Sequence, residues 1–145
     1  MSTLETRIDA IKKEFAALNG WEEKYRRVIE YGKAMPAMKP EDRTEEAKVK
    51  GCQSQVWLHA RPTSQGRIQY WGESDALIVN GLLAVLMKIY SGSTPDEVLS
   101  ASPDFIKEIG FSENLSPSRA NGLMAMIKQI VNFAQGFKIL ASMKK

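Results

Sequence analysis

The apolar segment from Ala76 to about Tyr90 places the strongest constraint on the fold of this chain. It predicts a helix that is capped by Ser74 or Asp75. Because apolar residues surround almost its whole circumference, we expect this helix to be buried at the centre of the protein. Its uninterrupted apolar part is shorter than the ~18–20 residues that cross a bilayer. The segment therefore predicts a core helix and no membrane partner.

The hydrophobic spacing on either side of this segment is also helical. Apolar residues recur every three or four positions over residues 4–18 and again in the segment that begins near Trp21. The Thr94-Pro95-Asp96-Glu97 sequence predicts a capping box with proline at the first helical position. Ser116 followed by Pro117 predicts the start of a long final helix by the same logic.

The period changes to two in the middle of the chain. Residues 56–61 and 67–72 alternate and are rich in strand-forming side chains, and a turn of about five residues separates them. Val49 predicts a short third strand. Helices on both sides of a small antiparallel β-sheet indicate an α+β fold, and the length favours a single domain over residues 1–145.

The single cysteine excludes several classes of site. One thiol cannot form an intramolecular disulfide, and with one histidine it cannot complete a Cys-rich zinc site or hold an iron–sulfur cluster alone.

The net charge of +3 is spread as +1, −3 and +5 over residues 1–50, 51–115 and 116–145. No stretch is dense enough in arginine and lysine to favour nucleic acid. The N-terminus lacks the apolar core of a signal peptide, so we expect a reducing, cytoplasmic setting.

The surroundings of Cys52 indicate a reactive thiol. The segment from Lys50 to Gln55 is polar, and Gly51 permits a backbone turn that other residues resist. A lone cysteine that serves only as a small buried hydrophobe is expected in an apolar stripe, and there is none here. We therefore expect Cys52 on a loop or at a strand entrance.

Three functions remain open from the residues alone. A Cys–His hydrolase would pair Cys52 with His59, which is the only histidine. Sulfur transfer would need only one nucleophilic thiol whose pKa is lowered by nearby cations or donors. In a non-catalytic adaptor, Cys52 would be incidental.

The sequence Gly51-Cys52-Gln53-Ser54-Gln55-Val56-Trp57 resembles the cysteine motif of the SufE family, which comprises the sulfur acceptors of cysteine desulfurases. Four further segments resemble landmarks of the same family and occur in the same order. They are NGWEEKY at 19–25, EDR at 41–43, GESDA at 72–76 and LSPSRANGL at 115–123.

The resemblance implies a SufE/IscU-like fold and a specific activity. The chain would take persulfide sulfur from a PLP-dependent cysteine desulfurase (SufS-like or CsdA-like) onto Cys52 and would stimulate that enzyme. It would then deliver the sulfur to SufB or the SufBCD complex for iron–sulfur cluster assembly. PLP would belong to the desulfurase, so no cofactor, metal or independent turnover is expected here. IscU-type scaffolds carry three cysteines, and this chain has one. The SufE and CsdE branches both stay open, as does a homodimer.

The resemblance also assigns residues around the persulfide carrier. The positions that would form the loop and its partner interface are Gly51, Gln53, Ser54, Gln55, Asp75 and Arg119. Arg119 would lie near the cysteine loop and contribute to desulfurase docking or activation. A guanidinium at a helix start favours an anion such as a thiolate. Asp75 is expected first of all to cap its helix.

Overall fold

The computed structural model describes residues 3–51 and 54–143, in which seven α-helices enclose a two-stranded sheet. The predicted α+β fold is confirmed. The helices are α1 (Thr3–Ala16), α2 (Gly20–Ala34), α3 (Leu77–Tyr90), α4 (Pro95–Ser100), α5 (Phe105–Ile109), α6 (Phe111–Asn114) and α7 (Pro117–Met143). The strands are β1 (Val56–Pro62) and β2 (Ile68–Ser74), and a 3₁₀ turn covers Pro40–Asp42.

The sheet is an antiparallel hairpin. Its register runs from Val56 opposite Ser74 to Pro62 opposite Ile68. The loop of five residues predicted between the strands is confirmed, and it is closed by a 2.7 Å hydrogen bond from the amide of Thr63 to the carbonyl of Arg67. Alternate residues of both strands are buried, as the period of two requires.

The third strand predicted at Val49 is wrong. The chain there makes only a single bridge, between Lys48 and Trp57, in which the amide of Val49 donates to the carbonyl of Val56 at 2.8 Å. Gly51 has a φ of +92°, outside the extended region. Pairing therefore stops after one bridge, because the backbone turns away from β1.

Helix α3 is the buried central helix that the sequence predicts. From Ile78 to Tyr90, Lys88 is its only exposed residue. The helix contacts β2 as well as α1, α2 and α7. No helix in the described part of the chain is both long and apolar enough to cross a membrane.

Helices α2 and α3 approach each other through two glycines. A Cβ atom at Gly81 would overlap the carbonyl oxygen of Val28, and one at Gly32 would lie 2.9 Å from the amide nitrogen of Gly81. The side-chain amide of Asn80 donates to the carbonyl of Gly32 at 3.3 Å across the same contact. The two backbones touch here because neither glycine carries a side chain.

The capping predictions have different outcomes. Thr94 and Glu97 form the predicted reciprocal capping box of α4, and the Ser116 hydroxyl accepts from the amide of Arg119 at 3.3 Å at the start of α7. The predicted cap of α3 is wrong, because Ala76 occupies the cap position, and the Ser74 hydroxyl accepts at 3.3 Å from the amide of Ala76 instead of from an amide within the helix. The carboxylate of Asp75 accepts from another part of the chain.

Replacement of Gly81 by alanine should lower the free energy of unfolding by more than about 2 kcal/mol, because the added methyl group forces α2 and α3 apart. Urea denaturation checks this. Gly136→Ala is the matched control, since Gly136 lies in α7 with nothing within 4 Å of a Cβ atom. It should stabilise the protein by up to ~1 kcal/mol. Equal effects of the two substitutions would contradict the backbone contact.

Candidate functional site

The cysteine segment comprises residues 51–55, and the structure describes it at Gly51, Ser54 and Gln55. Cys52 and Gln53, which the sequence analysis assigns to the site, lie outside the described residues. Gly51 adopts the turn conformation expected from the sequence, and a Cβ atom at this position would lie 3.6 Å from the Cβ of Ala125. Gly51 therefore lies against α7, which fixes one end of the cysteine segment.

The other end is held by two hydrogen bonds between Gln55 and Asp75. The amide of Gln55 donates to Oδ1 of Asp75 at 3.0 Å, and the amide of Asp75 donates to the carbonyl of Gln55 at 3.2 Å. Both residues lie one position beyond the terminal pair of the sheet. The carboxylate thus extends the strand pairing by one side-chain bond, which is why it does not cap α3.

A cavity of about 450 Å³ opens beside Ser54. Its floor comes from the buried helix α3 and its wall from the first turns of α7. The lining residues are Ser54, Val79, Leu82, Ser116, Ser118, Arg119, Gly122 and Met126. The structure therefore brings Arg119 and Ser54 to one cavity, and their roles stay predictions.

The guanidinium of Arg119 is held by Tyr25, a residue that the sequence analysis marked only as the end of the NGWEEKY segment. Nη1 of Arg119 donates to the Tyr25 hydroxyl at 2.8 Å. The Tyr25 ring lies 5.3 Å from that of Trp21, which meets Phe111 edge-on at 5.6 Å. A row of aromatic rings thus fixes the phenol. In the sequence, the only indication that Tyr25 belongs to the site is its position in the NGWEEKY segment, which resembles a family landmark.

Two lysines line another cleft next to Gly51 and Ser54. Lys48 and Lys50 line a cleft of about 270 Å³ together with Gly51, Ser54 and Gln55. Lys48 pairs with Glu45 at 3.5 Å, whereas Lys50 forms no ion pair within the described residues. Cations close to a cysteine lower the pKa of its thiol and favour the nucleophilic thiolate. Arg119 and Lys50 each line a cavity that Ser54 also lines.

His59 is engaged within the sheet. Its Nε2 donates to the carbonyl of Asp42 at 2.7 Å, and its ring stacks on that of Trp71 with 5.3 Å between centroids. These contacts favour a packing role over that of a general base. Within residues 3–51 and 54–143, no cluster of three or more His, Cys, Asp or Glu side chains could hold a metal ion.

A solved structure shares the fold. The solution structure of a hypothetical protein from Thermus thermophilus aligns with a TM-score of 0.77, covering 92% of this chain and 96% of that one. At 22% identity, this similarity establishes the architecture alone.

Sequence comparisons are more specific. The profile of the SufE family, described as "Fe-S metabolism associated domain", matches residues 9–134. An uncharacterized SufE-like protein of Rhizobium meliloti is 44% identical over 135 residues, which cover 90% of this chain and 96% of that protein. A second, from Rhizobium etli, is 44% identical over 127 residues, which cover 85% and 86% of the two chains. The chain therefore belongs to the SufE family.

Proposed function

We propose that this chain is a sulfur carrier that accepts sulfur on Cys52 from a PLP-dependent cysteine desulfurase of the SufS or CsdA type. The observation that carries the proposal is that the only cysteine of a SufE-family chain lies in the sequence between Gly51 and Ser54, and that Ser54 lines a cavity together with Arg119. The proposal extends to stimulation of the desulfurase and delivery to SufB or SufBCD in the cytoplasm.

The transfer needs one thiol and no redox partner. The Cys52 thiolate attacks the outer sulfur of the desulfurase persulfide, a new S–S bond forms, and the desulfurase cysteine leaves as a thiolate. Cys52 then carries the persulfide, and an acceptor thiolate takes its outer sulfur by the same exchange. Total oxidation state is conserved in both steps. Arg119 and Lys50 would stabilise the anionic sulfur in each resting state.

The pyridoxal phosphate of this reaction is assigned to the desulfurase, and the proposal gives this chain no cofactor, metal or independent turnover. The chain's contribution is docking and presentation. The hydrogen bonds of Gln55 and the contact of Gly51 with α7 hold the ends of the cysteine segment, and we expect Gln53 and Ser54 to contribute to the partner interface.

The carrier role predicts a covalent product. After incubation with a cysteine desulfurase, PLP and free cysteine, intact-protein mass spectrometry should detect one added sulfur atom on Cys52. Cys52→Ser should remain unmodified while retaining the same unfolding free energy to within about 1 kcal/mol. No added sulfur on the wild-type chain, or the same addition to the serine variant, would reject the carrier role.

The Tyr25–Arg119 hydrogen bond predicts coupled effects on desulfurase stimulation. Arg119→Ala should reduce the stimulation by roughly tenfold, and Tyr25→Phe by roughly threefold, since one hydrogen bond to a charged group is lost. The double variant should resemble Arg119→Ala alone. Tyr31→Phe removes a phenol from the same helix that bonds Glu14 instead, and it should leave stimulation unchanged. Additive losses would separate Tyr25 from Arg119.

The Gln55–Asp75 bonds predict how well the cysteine is shielded at rest. We expect Cys52 to be partly shielded by apolar side chains at rest and therefore to be alkylated more slowly than a model peptide. Asp75→Ala should accelerate alkylation at least about fivefold, because it frees one end of the segment. Asp104→Ala is the control, since the Asp104 side chain makes no helix-cap bond. Wild-type alkylation as fast as that of the peptide would refute the shielding.

A further inference from the structure

A second cleft, of about 550 Å³, lies between the chain that follows α2, the strand β2 and the end of α3. It shares no lining residue with the two cavities beside Gly51 and Ser54. Its volume lies in the range of ligand-binding sites. The sulfur-transfer proposal gives this cleft no role.

Three methionines line the cleft beside the exposed Pro36 and Ala37. Met35 comes from the end of α2, Met38 from the extended chain after it and Met87 from α3. Met38 and Met87 are buried and Met35 is half-buried. Unbranched, polarizable methionine side chains repack easily around an inserted apolar group, and they are common on surfaces that bind peptides.

Three cations surround this apolar surface. Lys39, Arg61 and Lys88 line the cleft and are exposed, and none of them forms an ion pair with a described residue. Asp42 is the one acidic residue among the described residues of the lining, and its carboxylate accepts from the indole nitrogen of Trp71 at 3.4 Å. The cleft therefore carries an excess positive charge around an apolar floor.

Arg61 is oriented before any ligand binds. Its Nε and Nη2 both donate to Oε1 of Gln69, at 3.2 and 3.0 Å, and its guanidinium lies 5.7 Å from the centre of the Trp71 ring. These bonds leave Nη1 available to a carboxylate. The Trp71 ring already contacts Arg61 and His59, and the accessible apolar surface beside it comes from Met35, Pro36 and Ala37. This arrangement suits an aliphatic anchor better than a flat aromatic ligand.

We propose that this cleft docks a short acidic segment of a partner protein, with one or two aliphatic side chains seated among the methionines. Carboxylates on both sides of the anchor would meet Lys39, Arg61 and Lys88. Charge complementarity selects this occupant, because the cleft offers three cations and an acid that is already engaged. The inference is independent of whether Cys52 carries sulfur.

Three synthetic peptides test the chemistry by NMR titration of the full-length ¹⁵N-labelled protein. The probe is acetyl-Glu-Asp-Leu-Leu-Asp-Glu-amide. One control replaces both leucines by serine, and the other replaces all four acids by lysine. The indole N–H of Trp71, assigned by its loss in Trp71→Phe, reports on the cleft directly. Dilution of the protein without peptide tests whether a second copy occupies the cleft.

We expect the acidic leucine peptide to shift the Trp71 indole and the amides lining the cleft, with millimolar affinity that falls as salt is added. Lys39→Glu combined with Lys88→Glu should weaken binding between about threefold and tenfold. Lys13→Glu combined with Lys107→Glu makes the same charge change on exposed lysines elsewhere and should leave the affinity nearly unchanged. Arg61 is spared because it packs on Trp71.

Several outcomes would overturn the proposal. No shift of the cleft resonances at millimolar peptide would do so, as would equal binding of the lysine peptide. Equal binding of the serine peptide would mean that the cations attract any anion and that the methionines take no part. Shifts of the Trp71 indole on dilution alone would assign the cleft to a second copy of the chain. The Cys52 persulfide assay is unaffected by each of these results.

Discussion

The direct contact between α2 and α3 at Gly32 and Gly81 determines how the rest of the molecule is arranged. It lets the apolar helix α3 lie deep enough for β2 to pack against it, with α7 covering another side. The cavity beside the cysteine segment inherits this geometry, since Val79 and Leu82 of α3 form its floor. The second cleft also depends on it, because Met87 lies near the end of the same helix. A methyl group at the crossing would therefore disturb both surfaces together with the core.

The site is assembled from segments that are far apart in sequence, and each is held by a small number of bonds. Tyr25 reaches Arg119 across 94 positions, and Gln55 pairs with Asp75 across the ends of the hairpin. Gly51 rests on α7 at Ala125. The ends of the cysteine segment are thus fixed, and Arg119 and Lys50 line cavities next to Ser54. This arrangement suits a thiol that must be activated without a dedicated base, because a neighbouring positive charge favours the thiolate through space.

Periodicity and capping chemistry predicted much of this fold. The buried helix α3, the hairpin with its five-residue loop and the capping box at Thr94 follow from local patterns whose physical cause lies within a few residues. The errors arise where a tertiary contact competes with a local one. A carboxylate beside a helix start predicts a cap, yet Asp75 instead accepts the amide at the end of β1. The Tyr25–Arg119 bond has no local cause, so the sequence could only mark the two segments that it joins. The described residues place Arg119 and Asp75 around the attachment points of Cys52, and the roles of these residues in sulfur transfer stay predictions.

The cavity beside Ser54 and the second cleft are separate surfaces, and their separation affects how a sulfur carrier would work. A donor and an acceptor must each reach the same thiol, so a partner that binds only around Cys52 excludes the other until it dissociates. A partner that also bound the second cleft could release the thiol and remain attached, because this cleft shares no lining residue with the cavities beside the cysteine segment. Tethering of this type keeps the effective concentration of the partner high while the contact at the thiol stays weak and reversible. Weak contact at the reactive sulfur and attachment elsewhere are compatible here, because α3 contributes Val79 and Leu82 to the cavity beside Ser54 and Met87 to the second cleft.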